Sequence, residues 1–164
     1  MKTLLLIRHA KSSWDDPSLS DFDRILTDRG KSDAAMMAKR IKAKSIKIDA
    51  FVSSPAKRAK KTAEIFMKEY KEKEKNLILV SSLYEASIKD FYDVVENLDD
   101  KFDTVALFSH NPGITGFINS LECSRIYNMP TCAVFALKLK TKHWKEFRES
   151  KKEFLFFDYP KNGE

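Results

Sequence analysis

The chain has 164 residues, a formal net charge of +6, and 43% hydrophobic residues that include 12 Phe. A single domain of this size buries roughly 70% of its unfolded surface, and the composition excludes an intrinsically disordered chain. The 30 Lys and Arg residues are interleaved with 24 Asp and Glu, as in Lys68-Glu69-Tyr70-Lys71-Glu72, which reads as a solvated surface and not as a nucleic-acid footprint.

The first apolar run, Thr3–Ile7, predicts a strand that ends on Arg8-His9. Lys2 with this run is too short a beginning for a signal peptide, because Arg8 interrupts it. Thr27 then caps a predicted helix whose apolar positions Ala34, Ala35, Met37, Ala38 and Ile41 follow the three-to-four-residue period, with Gly30 in its first turn. Ala50–Ser53 predicts a second strand. Ser54-Pro55 reads as a cap followed by a first helical residue, with Ala59, Ala63, Phe66, Met67 and Tyr70 forming one face and Arg58 near the helix start.

A third strand is predicted at Leu77–Val80 and a fourth at Thr104–Phe108, which leads into Ser109-His110-Asn111-Pro112-Gly113. Asn111-Pro112 repeats the cap-and-proline pattern before Ile114, Phe117, Ile118 and Leu121. Cys132–Leu139 and Glu153–Phe157 predict a hairpin on the sheet edge. The alternation implies a three-layer α/β fold: a mostly parallel central sheet, helices on both faces, and one domain spanning residues 1–164. Cys123 and Cys132 lack a CxxC spacing, and no apolar stretch reaches transmembrane length. The expectation is a reduced, cytoplasmic protein without a membrane partner.

In an open parallel sheet, ligands collect beyond the carboxyl ends of the strands, where Arg8-His9, the Ser54–Arg58 corner and His110 all fall. Arginine presents a planar fork of donors that matches phosphate oxygens, and an unprotonated imidazole nitrogen can attack phosphorus. Repulsion from Arg8 and Arg58 should keep His9 neutral. His110 can donate to the same phosphoryl oxygens, and Glu85, in the loop after the third strand, is the candidate proton donor to the leaving group and later base for water.

Taken together, Leu6-Ile7-Arg8-His9-Ala10-Lys11-Ser12-Ser13-Trp14, Leu26-Thr27 with Gly30, Ser53-Ser54-Pro55-Ala56-Lys57-Arg58-Ala59, Leu83-Tyr84-Glu85-Ala86-Ser87, Ser109-His110-Asn111-Pro112-Gly113 and Phe156-Phe157-Asp158-Tyr159-Pro160 resemble the histidine phosphatase superfamily. That superfamily also contains cofactor-dependent phosphoglycerate mutases, and the similarity is greatest to its SixA-like phosphohistidine phosphatase branch. The resemblance implies a phosphohistidine intermediate on His9, a phosphoryl group held by Arg8, Arg58 and His110, a matching hydroxyl at Ser12, and no metal or other cofactor. Two positions depart from the pattern: Ala10 stands for the usual glycine, and Trp14 for an asparagine that touches phosphate in many relatives.

The expected activity is therefore a phosphatase acting on phosphohistidine or another phosphorylated protein side chain, since few residues remain for a lid over a deep pocket. Alternatives are a small-molecule phosphomonoesterase, a mutase, which needs a site closed to water, and a non-catalytic module that binds phosphoproteins. The remaining polar residues have plainer readings. His143, between Lys142 and Trp144, reads as an exposed or interface residue; Ser54 as a helix cap; Asp15, Asp16, Asp21 and Asp23 as a solvated loop without metal-loop spacing; Met36 and Met37 as core.

Overall fold

The computed structural model describes residues 1–162. Six strands form one sheet: β1 (Lys2–Arg8), β2 (Ala50–Ser53), β3 (Ile78–Leu79), β4 (Thr104–Ser109), β5 (Val134–Leu139) and β6 (Lys152–Asp158), in the order β3-β2-β4-β1-β5-β6. The pairings β2–β3, β2–β4 and β1–β4 are parallel. β5 joins β1 antiparallel, and β6 closes the sheet as an antiparallel edge beyond it. The predicted hairpin is thus present, with a register shift at Ala136/Leu137.

β1 is apolar at every position from Leu4 to Ile7 because both faces of the sheet are covered. Leu4 and Leu6 point into one core with Phe91, Val105, Leu107 and Phe117, while Leu5 and Ile7 point into another with Met37, Phe66, Ala106 and Phe108. Helices α1 (Asp28–Lys42) and α2 (Lys57–Glu69) supply the second core. Helices α3 (Ile88–Glu96) and α4 (Gly113–Ser120) supply the first. Thr27 caps α1 as expected, its side chain accepting from the Gly30 N–H at 2.9 Å. Ser87 and Asp90 form a capping box at the start of α3.

Two helix starts differ from the sequence reading. α2 begins at Lys57, with Ala56 in the cap position and no side-chain cap, so Ser54-Pro55 lies before the helix. α4 likewise starts at Gly113 after Pro112, again without a side-chain cap. In both places the residues between strand and helix are needed elsewhere, at the site described below.

Gly30 has a steric role that its first-turn position does not reveal. A Cβ there would lie 2.2 Å from the Lys11 carbonyl oxygen, which is backbone and cannot step aside. α1 therefore packs directly on the loop that follows His9, and Thr27 N–H donates to the same carbonyl at 3.0 Å. Gly30→Ala should lower unfolding free energy in urea by about 1–3 kcal/mol, although alanine is the better helix former. A neutral or stabilising result would mean that this contact is slack.

Candidate active site

The residues marked at three strand ends converge. Arg8 is the last residue of β1 with His9 immediately after it, Arg58 lies in the first turn of α2, and His110 follows β4 directly. Parallel registry makes this unavoidable: Arg8 pairs with Ser109 and Ser53 with Phe108, so β1, β2 and β4 end at one level. The imidazole rings of His9 and His110 are 5.2 Å apart between centroids. All of these residues, with Ser12 and Glu85, line one cleft of about 730 Å³.

His9 is 6% exposed, and its Nδ1 lies 2.7 Å from the carbonyl oxygen of Ala10. A carbonyl only accepts, so Nδ1 carries the proton and Nε2 keeps a free lone pair. Burial pushes the His9 pKa down to about 3, with further lowering by His110, Arg8 and Arg58. Charge repulsion does oppose protonation, as the sequence implies, but desolvation is the larger cause. His110 is pushed down to about 4, again mainly by burial and then by Arg58. Both rings are neutral at physiological pH.

The guanidinium groups are each anchored by one edge. Arg8 donates from Nη1 to the Met129 carbonyl at 2.9 Å. Arg58 donates from Nη1 to the Asp21 carbonyl at 2.6 Å and from Nη2 to the Asp21 carboxylate at 3.0 Å. Among the described residues, the buried side-chain nitrogens and oxygens without a hydrogen-bond partner are Arg8 Nε, Arg58 Nε and His110 Nδ1. Buried polar groups are almost always paired, so three partnerless nitrogens in one cleft mark a place where a ligand supplies the acceptors. An oxyanion has the required oxygens.

Asp21, read from the sequence as part of a solvated loop, organises this wall. Besides Arg58, its carboxylate accepts from Arg24 Nη1 at 3.1 Å and from the Tyr84 hydroxyl at 2.7 Å, and these bonds hold it down at about 2 although burial opposes the shift. Tyr84 in turn packs edge-on to His110 at 5.6 Å. Arg24, also missed, donates from Nη2 to the Ser12 hydroxyl and stacks 3.2 Å from the ring centre of Trp14, which is 74% exposed at the rim. Ser12 thus faces the cleft with its hydroxyl already engaged.

Ser54 is not a helix cap; its Oγ lies 2.8 Å from His110 Nε2. Ala10 is buried, and its N–H donates to Thr62 Oγ1 at 3.0 Å. Glu85 is exposed at the mouth with φ of 55°. A left-handed backbone is uncommon for a residue with a Cβ and recurs at functional positions. His143 sits elsewhere on the surface, paired with Asp100 at 2.9 Å. Among the described residues there is no cluster of three metal-ligating side chains, and no helix is long and apolar enough to cross a membrane.

Fold and cleft together define an α/β protein that presents a neutral imidazole with an unprotonated Nε2 beside cationic donors, at the C-terminal ends of parallel strands. The profile of the histidine phosphatase superfamily (branch 1) matches residues 4–103, and the chain belongs to that superfamily. An uncharacterised chloroplastic protein of Arabidopsis thaliana is 29% identical over 88% of this chain and 70% of its own length. A 2,3-bisphosphoglycerate-dependent phosphoglycerate mutase of Bartonella henselae is 32% identical over 54% of this chain, a match that spans 44% of the mutase. The solved structure of the protein histidine phosphatase SixA complexed with tungstate superposes with a TM-score of 0.82 over 99% of both chains at 19% identity, so the SixA fold is shared.

The depressed histidines have a consequence for stability. In the unfolded chain both titrate near 6.5, whereas the folded rings resist protonation down to about 3 and 4. The stability they contribute is fully present above pH 6.5 and is lost as pH falls towards those folded values. Between pH 7 and about 5, above the usual carboxylate range, urea unfolding should show falling stability, and His9→Asn should make the slope shallower. An unchanged slope in that variant would mean that His9 titrates normally in the folded protein.

Proposed function

We propose that the protein is a phosphatase that transfers a phosphoryl group to His9 and then to water. The observation that carries this reading is the set of partnerless buried atoms Arg8 Nε, Arg58 Nε and His110 Nδ1, grouped around an imidazole whose Nε2 is unprotonated. In the first step the Nε2 lone pair forms a bond to phosphorus, and the bond from phosphorus to the leaving atom breaks. Arg8, Arg58 and His110 donate to the equatorial oxygens, where charge spreads in the transition state.

Glu85, at the cleft mouth, gives its proton to the leaving atom. As a carboxylate it then takes a proton from the water that attacks phosphorus, which frees His9 and returns the acid. Asp21 acts through Arg58 by holding the far edge of its guanidinium, so that Nε and a remaining N–H stay turned to the ligand. Arg8 and Arg58 supply the counter-charge for an incoming dianion without further rearrangement.

The substrate we infer is a phosphorylated protein side chain, phosphohistidine first. The fold is shared with a protein histidine phosphatase, and the exposed side chains Trp14, Glu85 and Ile88 line the cleft. A small phosphorylated metabolite is the second reading, favoured by the partial match to phosphoglycerate mutases. Comparison of kcat/KM on a phosphorylated histidine-containing transfer domain, sugar phosphates and aryl phosphates separates the two. Preference for a sugar phosphate would reverse the assignment.

His9→Ala should abolish turnover, with no radioactive phosphate trapped on the protein after acid-free quenching, whereas the wild type is labelled. Labelling that survives the substitution would remove His9 as nucleophile. Glu85→Gln should lower kcat/KM, which reports phosphoryl transfer to His9, by about 10²–10⁴-fold on alkyl phosphates, the range of general acid catalysis. The loss in kcat/KM should be much smaller on nitrophenyl phosphate, whose leaving group needs no proton. Equal losses in kcat/KM on both would remove Glu85 as the proton donor to the leaving atom.

A further inference from the structure

Ser54 is fully buried at the end of β2, and among the described residues its hydroxyl has two partners. Oγ accepts from the Ala56 N–H at 3.2 Å and lies 2.8 Å from His110 Nε2. The direction of the second bond decides what His110 offers the cleft. If Nε2 carried the proton and donated to Ser54, the serine hydrogen would have no acceptor in a buried setting. Nδ1 would then be a bare lone pair, facing the lone pairs of any phosphoryl oxygen that enters.

If the serine donates instead, its hydrogen is satisfied, Nε2 is the acceptor, and the single proton of the neutral ring is placed on Nδ1. Nδ1 is then the buried donor without a protein partner that the cleft presents. The Ala56 N–H is compatible with this direction: it occupies one of the two Oγ lone pairs and leaves the hydroxyl hydrogen for His110.

We propose that Ser54 is a positioning residue that fixes His110 in its Nδ1–H tautomer, so that a neutral imidazole serves as a hydrogen-bond donor to the phosphoryl group. The catalytic part of the statement rests on the phosphatase reading above; the tautomer does not. His110 stays neutral because burial and the neighbouring Arg58 disfavour a second proton. Without Ser54 the ring would distribute its proton between two nitrogens, and only part of the population would donate in the required direction.

The test is ¹⁵N NMR of histidine-labelled protein at neutral pH, read beside steady-state kinetics. In the wild type His110 should show a protonated Nδ1 and a pyridine-like Nε2. Ser54→Ala should move proton density towards Nε2 and lower kcat about tenfold, the effect expected for one oriented neutral hydrogen bond. Ser54→Cys, with a weaker donor of similar shape, should keep the tautomer and recover part of the rate. A wild-type His110 protonated on Nε2 overturns the proposal, as does a Ser54→Ala protein with an unchanged spectrum. Should Ser54→Ala not fold, the wild-type spectrum and Ser54→Cys still decide. A wild type that hydrolyses no phosphorylated substrate would sink the phosphatase reading while leaving the tautomer measurable.

Discussion

Two guanidinium groups and two imidazoles packed at the ends of three parallel strands are expensive to bury, and the architecture around them is arranged to carry that cost. Desolvation and mutual repulsion act together: burial and then Arg58 lower the pKa of Arg8, and burial and then neighbouring charge lower both histidines. The protein offsets this with acceptors placed on the outer edges of the cations, the Met129 carbonyl for Arg8 and the Asp21 carboxylate and carbonyl for Arg58. Their inner nitrogens are left unpaired. The site is thereby preorganised and incomplete at once, which is the condition under which an arriving anion gains most.

The strand ends were readable because a parallel sheet covered on both faces demands continuous apolar runs, and Leu4–Ile7 and Val105–Phe108 are such runs. Once those strands are aligned, Arg8, His9, Arg58 and His110 must lie together. Asp21 was not legible, since nothing local in Ser20-Asp21-Phe22-Asp23 separates a carboxylate that binds Arg58, 37 residues away, from its solvated neighbours. Its partner Tyr84, 63 residues distant, carries the same information. Ser54 was misread for a different reason: a serine before proline has a ready local explanation as a cap, and the competing bond to His110 is 56 residues away in the chain.

Glycine and alanine at two positions show how closely backbone and site are joined. Gly30 admits the Lys11 carbonyl against α1, and Ala10 is buried with its N–H bonded to Thr62 on α2. The loop after β1 is therefore clamped between both helices of one layer. Rigidity there has a direct chemical meaning, because the Ala10 carbonyl is the acceptor that holds the His9 proton on Nδ1. A loop free to move would let the His9 ring turn over and present the wrong nitrogen.

In the proposed mechanism the two histidines differ in role without differing in protonation. Each is neutral, each has its proton on Nδ1 in the reading developed above, and each is held by a single neighbour: a carbonyl that can only accept for His9, a hydroxyl that donates for His110. For His9 the anchored nitrogen is Nδ1, so the free position is the lone pair of Nε2, a nucleophile. In His110 the anchored nitrogen is Nε2, so the free position is the Nδ1 proton, a donor. Identical side chains 5.2 Å apart thus become electron-pair donor and hydrogen donor through which ring nitrogen the fold chooses to hold. No difference in pKa between them is required, and low dielectric around both rings serves each function equally.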